Sequence, residues 1–214
     1  MLPPASLEGH ARGTGSVAGQ VDVIARPTRR LATAGSYPGR TVELPAARRP
    51  SELQNVVVFL DSDAAEPSEP TRVTIRQTHE EFLPHLVAVT AGSTVDFPND
   101  DLVFHNVFSL SHGATFDLGR YPKNASKSRT FSEPGIIKVF CHLHSHMSAI
   151  VRVFPHPHFA VPDDRGQFTL EGLPAGKHVI AAWHERVGIV RHEVTVADGG
   201  VATATFSLPL MDEK

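Results

Sequence analysis

The stretch on which the fold turns is Gly135-Ile136-Ile137-Lys138-Val139-Phe140-Cys141-His142-Leu143-His144-Ser145-His146-Met147. Its first half is a short apolar run opened by a Pro134-Gly135 turn signal, with the length and β-branched character of a strand. Its second half sets a cysteine, three histidines and a methionine within seven residues, which breaks the strand pattern and reads as a tight loop. Ala149–Phe154 then resumes an apolar run of strand length. The stretch is therefore strand, loop and strand, with the loop carrying the reactive side chains.

Upstream, strands are expected at Arg72–Gln77, His85–Thr90, Thr94–Phe97, Val103–Leu110 and Ser128–Phe131. Turn signals separate them at Ala91-Gly92-Ser93, Pro98-Asn99-Asp100 and Gly113. Short strands at close spacing point to an antiparallel sandwich or barrel. Downstream, strands are expected at Gln167–Leu170, His178–His184, Arg191–Val196 and Val201–Leu208. At the other end, Val17–Ile24 alternates apolar and polar residues, and Gln54–Leu60 is a β-branched run. Residues 1–16 read as a flexible tail and 26–52 as loop. No segment carries a helical period, so the expected class is all-β.

The loop has a chemical logic. Cys141, His144 and Met147 stand at Cys-x-x-His-x-x-Met spacing, and thiolate with thioether selects copper over magnesium, calcium or manganese. Two histidines and one cysteine in a plane, with a weak axial methionine, form a blue-copper electron-transfer site. The second histidine must come from elsewhere, and His105 is the candidate. It sits in the apolar strand Val103-Phe104-His105-Asn106-Val107-Phe108, where an imidazole needs a hydrogen bond or a metal. The expected ligands are His105, Cys141, His144 and Met147, with Asn106 as a donor tying the two halves together. The same loop suits zinc, which does not favour a thioether. Taken alone, Cys141 would be a small buried hydrophobe.

The runs VDFPNDDLVFHNVFSLS from Val95, FDLGRYPKNASKSRTF and GIIKVFCHLHSHM resemble the cupredoxins, small blue copper proteins. The Cys-x-x-His-x-x-Met spacing resembles the amicyanin-like, methylamine-utilisation group. The resemblance covers roughly residues 70–154 and implies a Greek-key sandwich with one copper ion on the four ligands above. It departs at His142 and His146, which stand where prolines stiffen such loops. The resemblance also implies a bacterial periplasmic location. No basic region followed by an apolar core opens the chain, so no secretory signal is read there.

The last fifty residues, with Asp-x-x-Gly-x-Phe-x-Leu and Leu-Pro-x-Gly-Lys-His-x-Ile, resemble the later strands of a transthyretin-like (carboxypeptidase regulatory-like) sandwich. Its opening Gly-x-Val and Val-Val-x-Leu strands are matched at Gly19-Gln20-Val21 and Val56–Leu60. The expected organisation is a split transthyretin-like sandwich, residues 17–62 and 162–208, with a cupredoxin unit, 66–156, inserted into it.

Composition closes off several classes. A net charge of −3 gives no basic surface for nucleic acid. No apolar run approaches the roughly 20 residues of a membrane span. One cysteine forbids an internal disulfide, while thirteen histidines favour metal. The remaining histidines receive plainer readings: His142 and His146 as solvent-exposed, with a second metal site as the sharper alternative; His156 and His158 as surface residues of a linker; His79, His85 and His112 as structural or exposed. Asp163, Asp164 and Gly166 read as a turn rather than a calcium loop. The leading function is a one-electron carrier whose redox partners dock over the edge of His144. The alternative is a non-redox copper-binding or scaffold module of an envelope complex. An enzyme is not expected, because no further paired histidines supply a second copper centre.

Overall fold

The structure, a computed structural model, describes residues 13–25 and 52–210. The expected tail over 1–12 and most of the expected loop over 26–52 lie outside these residues. In chain order the strands are β1 (Thr14–Ala25), β2 (Val56–Leu60), β3 (Arg72–Thr74), β4 (Arg76–Thr78), β5 (Glu81–Leu83), β6 (Leu86–Thr90), β7 (Ser93–Pro98), β8 (His105–Ser109) and β9 (Phe116–Tyr121). They continue as β10 (Ser126–Phe131), β11 (Gly135–Phe140), β12 (Ser148–Phe154), β13 (Phe159–Ala160), β14 (Gln167–Pro174), β15 (Gly176–His184), β16 (Gly188–Val196) and β17 (Val201–Leu210). One 3-10 turn, Glu52–Asn55, precedes β2. The protein is an all-β sandwich. Thr14–Ser16 belong to β1 rather than to a tail, because they pair with β14 and β17.

Four main sheets stack in layers. Their strand orders are β10-β7-β3, β6-β12-β11-β8-β9, β13-β2-β15-β16 and β14-β1-β17. The first two enclose a core that includes Val95, Phe97, Val107, Val139, Cys141, Met147 and Val151. The last two enclose Val17, Val58, Leu170, Ile180 and Phe206. A third cluster of Val57, Phe59, Leu86, Ile150, Phe154, Ala181 and Trp183 joins the two middle sheets. Side chains alternate across a strand, so a strand covered on both faces must be apolar throughout. β2 obeys this, with all five residues buried. In β12, Ala149, Val151 and Val153 face one core while Ile150 and Phe154 face the other.

Strand pairing crosses long sequence distances. β1 runs parallel to β17 and antiparallel to β14, and β2 pairs with β13 and β15. Residues 72–154 build the other two main sheets and the small β4-β5 pair. β5, β9 and β13 carry no clear alternation and were not expected from the sequence. β8 begins at His105, two residues later than expected; Val103 and Phe104 are exposed.

One loop differs from its sequence reading and another agrees with it. His156 and His158 are buried rather than on the surface, 0% and 7% exposed. Polar partners make this tolerable: the His156 ring bonds the Leu60 carbonyl, and His158 bonds the Glu171 carbonyl and the Glu66 carboxylate. The Asp163–Gly166 segment is a turn in which the Asp163 carboxylate accepts the N–H groups of Arg165 and Gln167. Gly166 has φ +81°, and a Cβ there would lie 2.2 Å from the Val21 carbonyl oxygen. Gly166→Ala is therefore expected to cost about 1–3 kcal/mol. Denaturant unfolding of the variant, with an unchanged midpoint as the contrary result, checks this.

Candidate metal centre

β11 ends at Phe140 and delivers Cys141 to the bottom of the loop; β12 starts at Ser148 and carries the chain away from Met147. The loop is closed by an N–H of Met147 donating to the His144 carbonyl at 3.0 Å. His105 opens β8, which pairs with β11 through Phe108 and Phe140. Two adjacent strands thus bring together residues 36 positions apart.

Among the described residues, His105, Cys141 and His144 form a group of ligand atoms all within 4.8 Å of one another. The two Nδ1 atoms are 3.0 Å apart, and Cys141 Sγ lies 3.9 Å from that of His105 and 3.8 Å from that of His144. A point equidistant from the three atoms is about 2.1 Å from each, within the roughly 2.0–2.3 Å of metal–nitrogen and metal–thiolate bonds. The triangle therefore fits a transition-metal ion. Cys141 and His105 are buried, and His144 is partly exposed. Met147 is 1% exposed and belongs to the same core as Cys141.

The ring of His105 is aimed by Asp101. His105 Nε2 donates to Asp101 Oδ2 at 2.8 Å, which leaves Nδ1 with a bare lone pair facing Cys141 and His144. Asp101 is itself fixed by the N–H groups of His79 and Glu80, at 2.7 and 2.9 Å. Burial pushes the Asp101 carboxyl up, but the Glu80 N–H, the His105 ring and the His79 N–H outweigh it, and the group is held below the usual carboxylate range. Sequence reading assigned Asp101 no role, although it stands in the quoted Asn99-Asp100-Asp101 run four residues before His105. Asp101→Asn should weaken metal binding about 10- to 100-fold. Competition with a chelator measures it; an unchanged affinity would show that the ring needs no anchor.

Asn106 spans the two halves. Its Oδ1 accepts the His142 N–H at 2.7 Å, and its Nδ2 donates to Asp117 at 3.0 Å. The His142 ring stacks on Phe108, 3.6 Å between centroids and 2° between planes. His146 Nε2 lies 3.9 Å from a Glu80 carboxylate oxygen. Both rings sit outside the His105, Cys141 and His144 triangle.

No family model matches the sequence, and no curated protein matches it. Solved structures do. Part of the chain is similar to cupredoxins. Amicyanin from Paracoccus versutus (Thiobacillus versutus) is 25% identical over 45% of this chain and 96% of that one, with a TM-score of 0.36. A purple cupredoxin from Nitrosopumilus maritimus is 24% identical over 38% of this chain and 98% of that one, TM-score 0.35. A copper-containing nitrite reductase from Thermus scotoductus is 24% identical over 44% of this chain, TM-score 0.38; the match spans 25% of that enzyme's chain. This last similarity corrects the expectation that an enzyme is excluded. A fold of this kind occurs within a catalytic protein, and a fold does not by itself decide between carrier and catalyst. Among the described residues, no helix is long and apolar enough to cross a membrane.

Proposed function

We propose that this chain binds one copper ion through His105, Cys141, His144 and Met147 and passes single electrons between protein partners. The observation that carries the reading is the convergence of two imidazole nitrogens and one thiol sulfur in a 3.0, 3.8 and 3.9 Å triangle. The buried thioether of Met147, next in the same loop, favours copper over zinc. Copper, when bound, supplies a couple that changes charge by one electron.

The protein's own groups do the rest. Asp101 holds His105 in the tautomer with Nδ1 free. Asn106 holds the His142 end of the loop against β8. The apolar core around Cys141 and Met147 excludes water from the sulfur ligands. A donor set already assembled in a packed core moves little when the charge changes, which keeps electron exchange fast.

His144 is the partly exposed member of the set, and the neighbouring Leu143 is exposed. Leu102 and Phe104, beside His105, are exposed as well. These exposed apolar side chains, near His105 and His144 in the chain, are the ones we assign to the docking of redox partners. The second half of the molecule, residues 17–62 with 162–208, is read as a transthyretin-like sandwich interrupted by the copper unit, 66–156. Its support is the pairing of β1 and β2 with β13, β14, β15 and β17. The resemblance to periplasmic carriers supports a location outside the cytoplasm.

One equivalent of Cu(II) added to the purified chain should produce an intense visible band from thiolate-to-copper charge transfer. It should bleach on reduction and return on reoxidation. Binding of several copper ions without that band would instead favour a copper store or scaffold.

A further inference from the structure

The loop between β11 and β12 is gripped from outside its own sheet. Glu185 lies in the turn between β15 and β16, in the other half of the molecule. Its Oε2 accepts from His85 Nε2 at 3.1 Å, and its Oε1 accepts from Lys138 Nζ at 3.1 Å. Lys138 is in β11, three residues before Cys141. His85, just before β6, bonds through Nδ1 to the carbonyl oxygen of Ser148 at 2.9 Å, and Ser148 follows Met147. The His85 carbonyl in turn accepts the Ile150 N–H at 2.7 Å. One carboxylate therefore reaches the strand that enters the loop and the strand that leaves it.

We propose that Glu185 is a positioning residue for the metal loop, a brace by which the β15–β16 hairpin holds both ends of the Cys141–Met147 segment. The proposal rests on reading that segment as the copper-ligand loop. His85 is the joint of the brace. Both of its ring nitrogens face oxygen acceptors, and only an imidazolium donates to both at once.

The charges around His85 agree with this. Glu185, through its hydrogen bond, raises the His85 pKa; burial opposes it, and the Ser148 carbonyl and the more distant Glu52 add to it. Glu52 is occupied by His184 and Arg186. Glu81 and His146 line the same cleft of about 360 Å3 as His85, Glu52 and Met147. The Glu185 carboxyl is lowered to about 2, chiefly by the His85 hydrogen bond and then by Lys138, against the effect of burial.

The signs follow. His85, raised in the folded state, stabilises fully below its ordinary 6.5, and the effect fades as pH rises through the raised value. Glu185, lowered in the folded state, stabilises above its ordinary 4.5, and the effect fades as pH falls toward about 2. The brace is complete between these limits and loosens on the alkaline side.

The test uses the full chain, first without metal. In Glu185→Gln, the Met147 and Ile150 amides should exchange with solvent roughly threefold to fivefold faster, while the Val21 amide keeps its rate. The His85 titration midpoint, read by NMR, should fall toward that of an ordinary histidine. Lys138→Met, on an exposed side chain, should move that midpoint the other way, because it removes a competing cation and leaves Glu185 to His85 alone. In the copper-loaded chain, Glu185→Gln should shift the reduction midpoint and flatten its pH profile above neutrality. Unchanged amide exchange and an unchanged His85 midpoint in Glu185→Gln would overturn the brace. Absence of the visible band from the unmutated chain would instead overturn the copper reading, while the metal-free measurements still judge the brace.

Discussion

Cys141→Ser is expected to abolish the intense visible band of the copper-treated chain while leaving the fold in place. Thiolate is the donor for which no other group in the triangle substitutes. The two imidazoles can still bind copper, but the complex would then absorb in the visible only through ligand-field transitions, which are far weaker than charge transfer from sulfur. Serine is close to cysteine in size, so the 3% exposed site should keep its packing. The hydroxyl has the Nδ1 atoms of His105 and His144 as neighbours, where the thiol sits at 3.9 and 3.8 Å. A stability loss of about 1–3 kcal/mol is the ceiling for one imperfectly paired buried hydroxyl. Visible absorption, with far-UV circular dichroism as the folding control, is the measurement. Survival of the colour would show that sulfur ligation by Cys141 is not its origin.

Ile150→Asp is expected to have the largest effect on stability, about 4 kcal/mol or more. Ile150 is 2% exposed in the cluster that joins the two middle sheets, among Val57, Leu86, Phe154 and Trp183. A carboxylate there loses its hydration, and the nearest cations on that face are already engaged: Lys138, opposite on β11, by Glu185, and Arg152 by the Phe59, Phe154 and Trp183 rings. Ile136→Asp is the matched control. Ile136 projects from the same sheet face on the neighbouring strand, opposite Arg152, but is 39% exposed. Its substitution should change stability by about 0.5 kcal/mol or less. Denaturant unfolding of both variants is the test. Equal, small losses would mean that the two middle sheets do not share a dry interface.

The strands were readable where one rule acted alone. β7 and β12 show clear alternation or an apolar run between turn signals, and their expected ranges agree with the structure within one residue. β9 failed because Asp117 and Gly119 interrupt its pattern: Asp117, although exposed, takes the N–H of Gly119 and the Asn106 amide, contacts that no side-chain period announces. β13 is two residues long, held by pairing with β2 rather than by any preference of its own. His156 and His158 were misread because polar residues between prolines look like linker. Their burial depends on the Leu60 and Glu171 carbonyls and on Glu66, and His158 lies 92 residues from Glu66 in the chain.

By itself the sequence determined the all-β class and the strand–loop–strand around Cys141, and it supplied the four residues proposed as ligands. Those properties are local: side-chain period, turn chemistry and donor type act over a few residues. Only the tertiary structure decided which groups aim and brace the donors. Asp101 behind His105, Asn106 against His142, and Glu185 reaching His85 and Lys138 depend on strands meeting across the sheets. Lys138 and Glu185 are 47 residues apart and His85 and Glu185 are 100 apart. A carboxylate carries no mark of its partner in the linear chain, because hydrogen bonding is satisfied in space and the layered packing of four sheets chooses the neighbour.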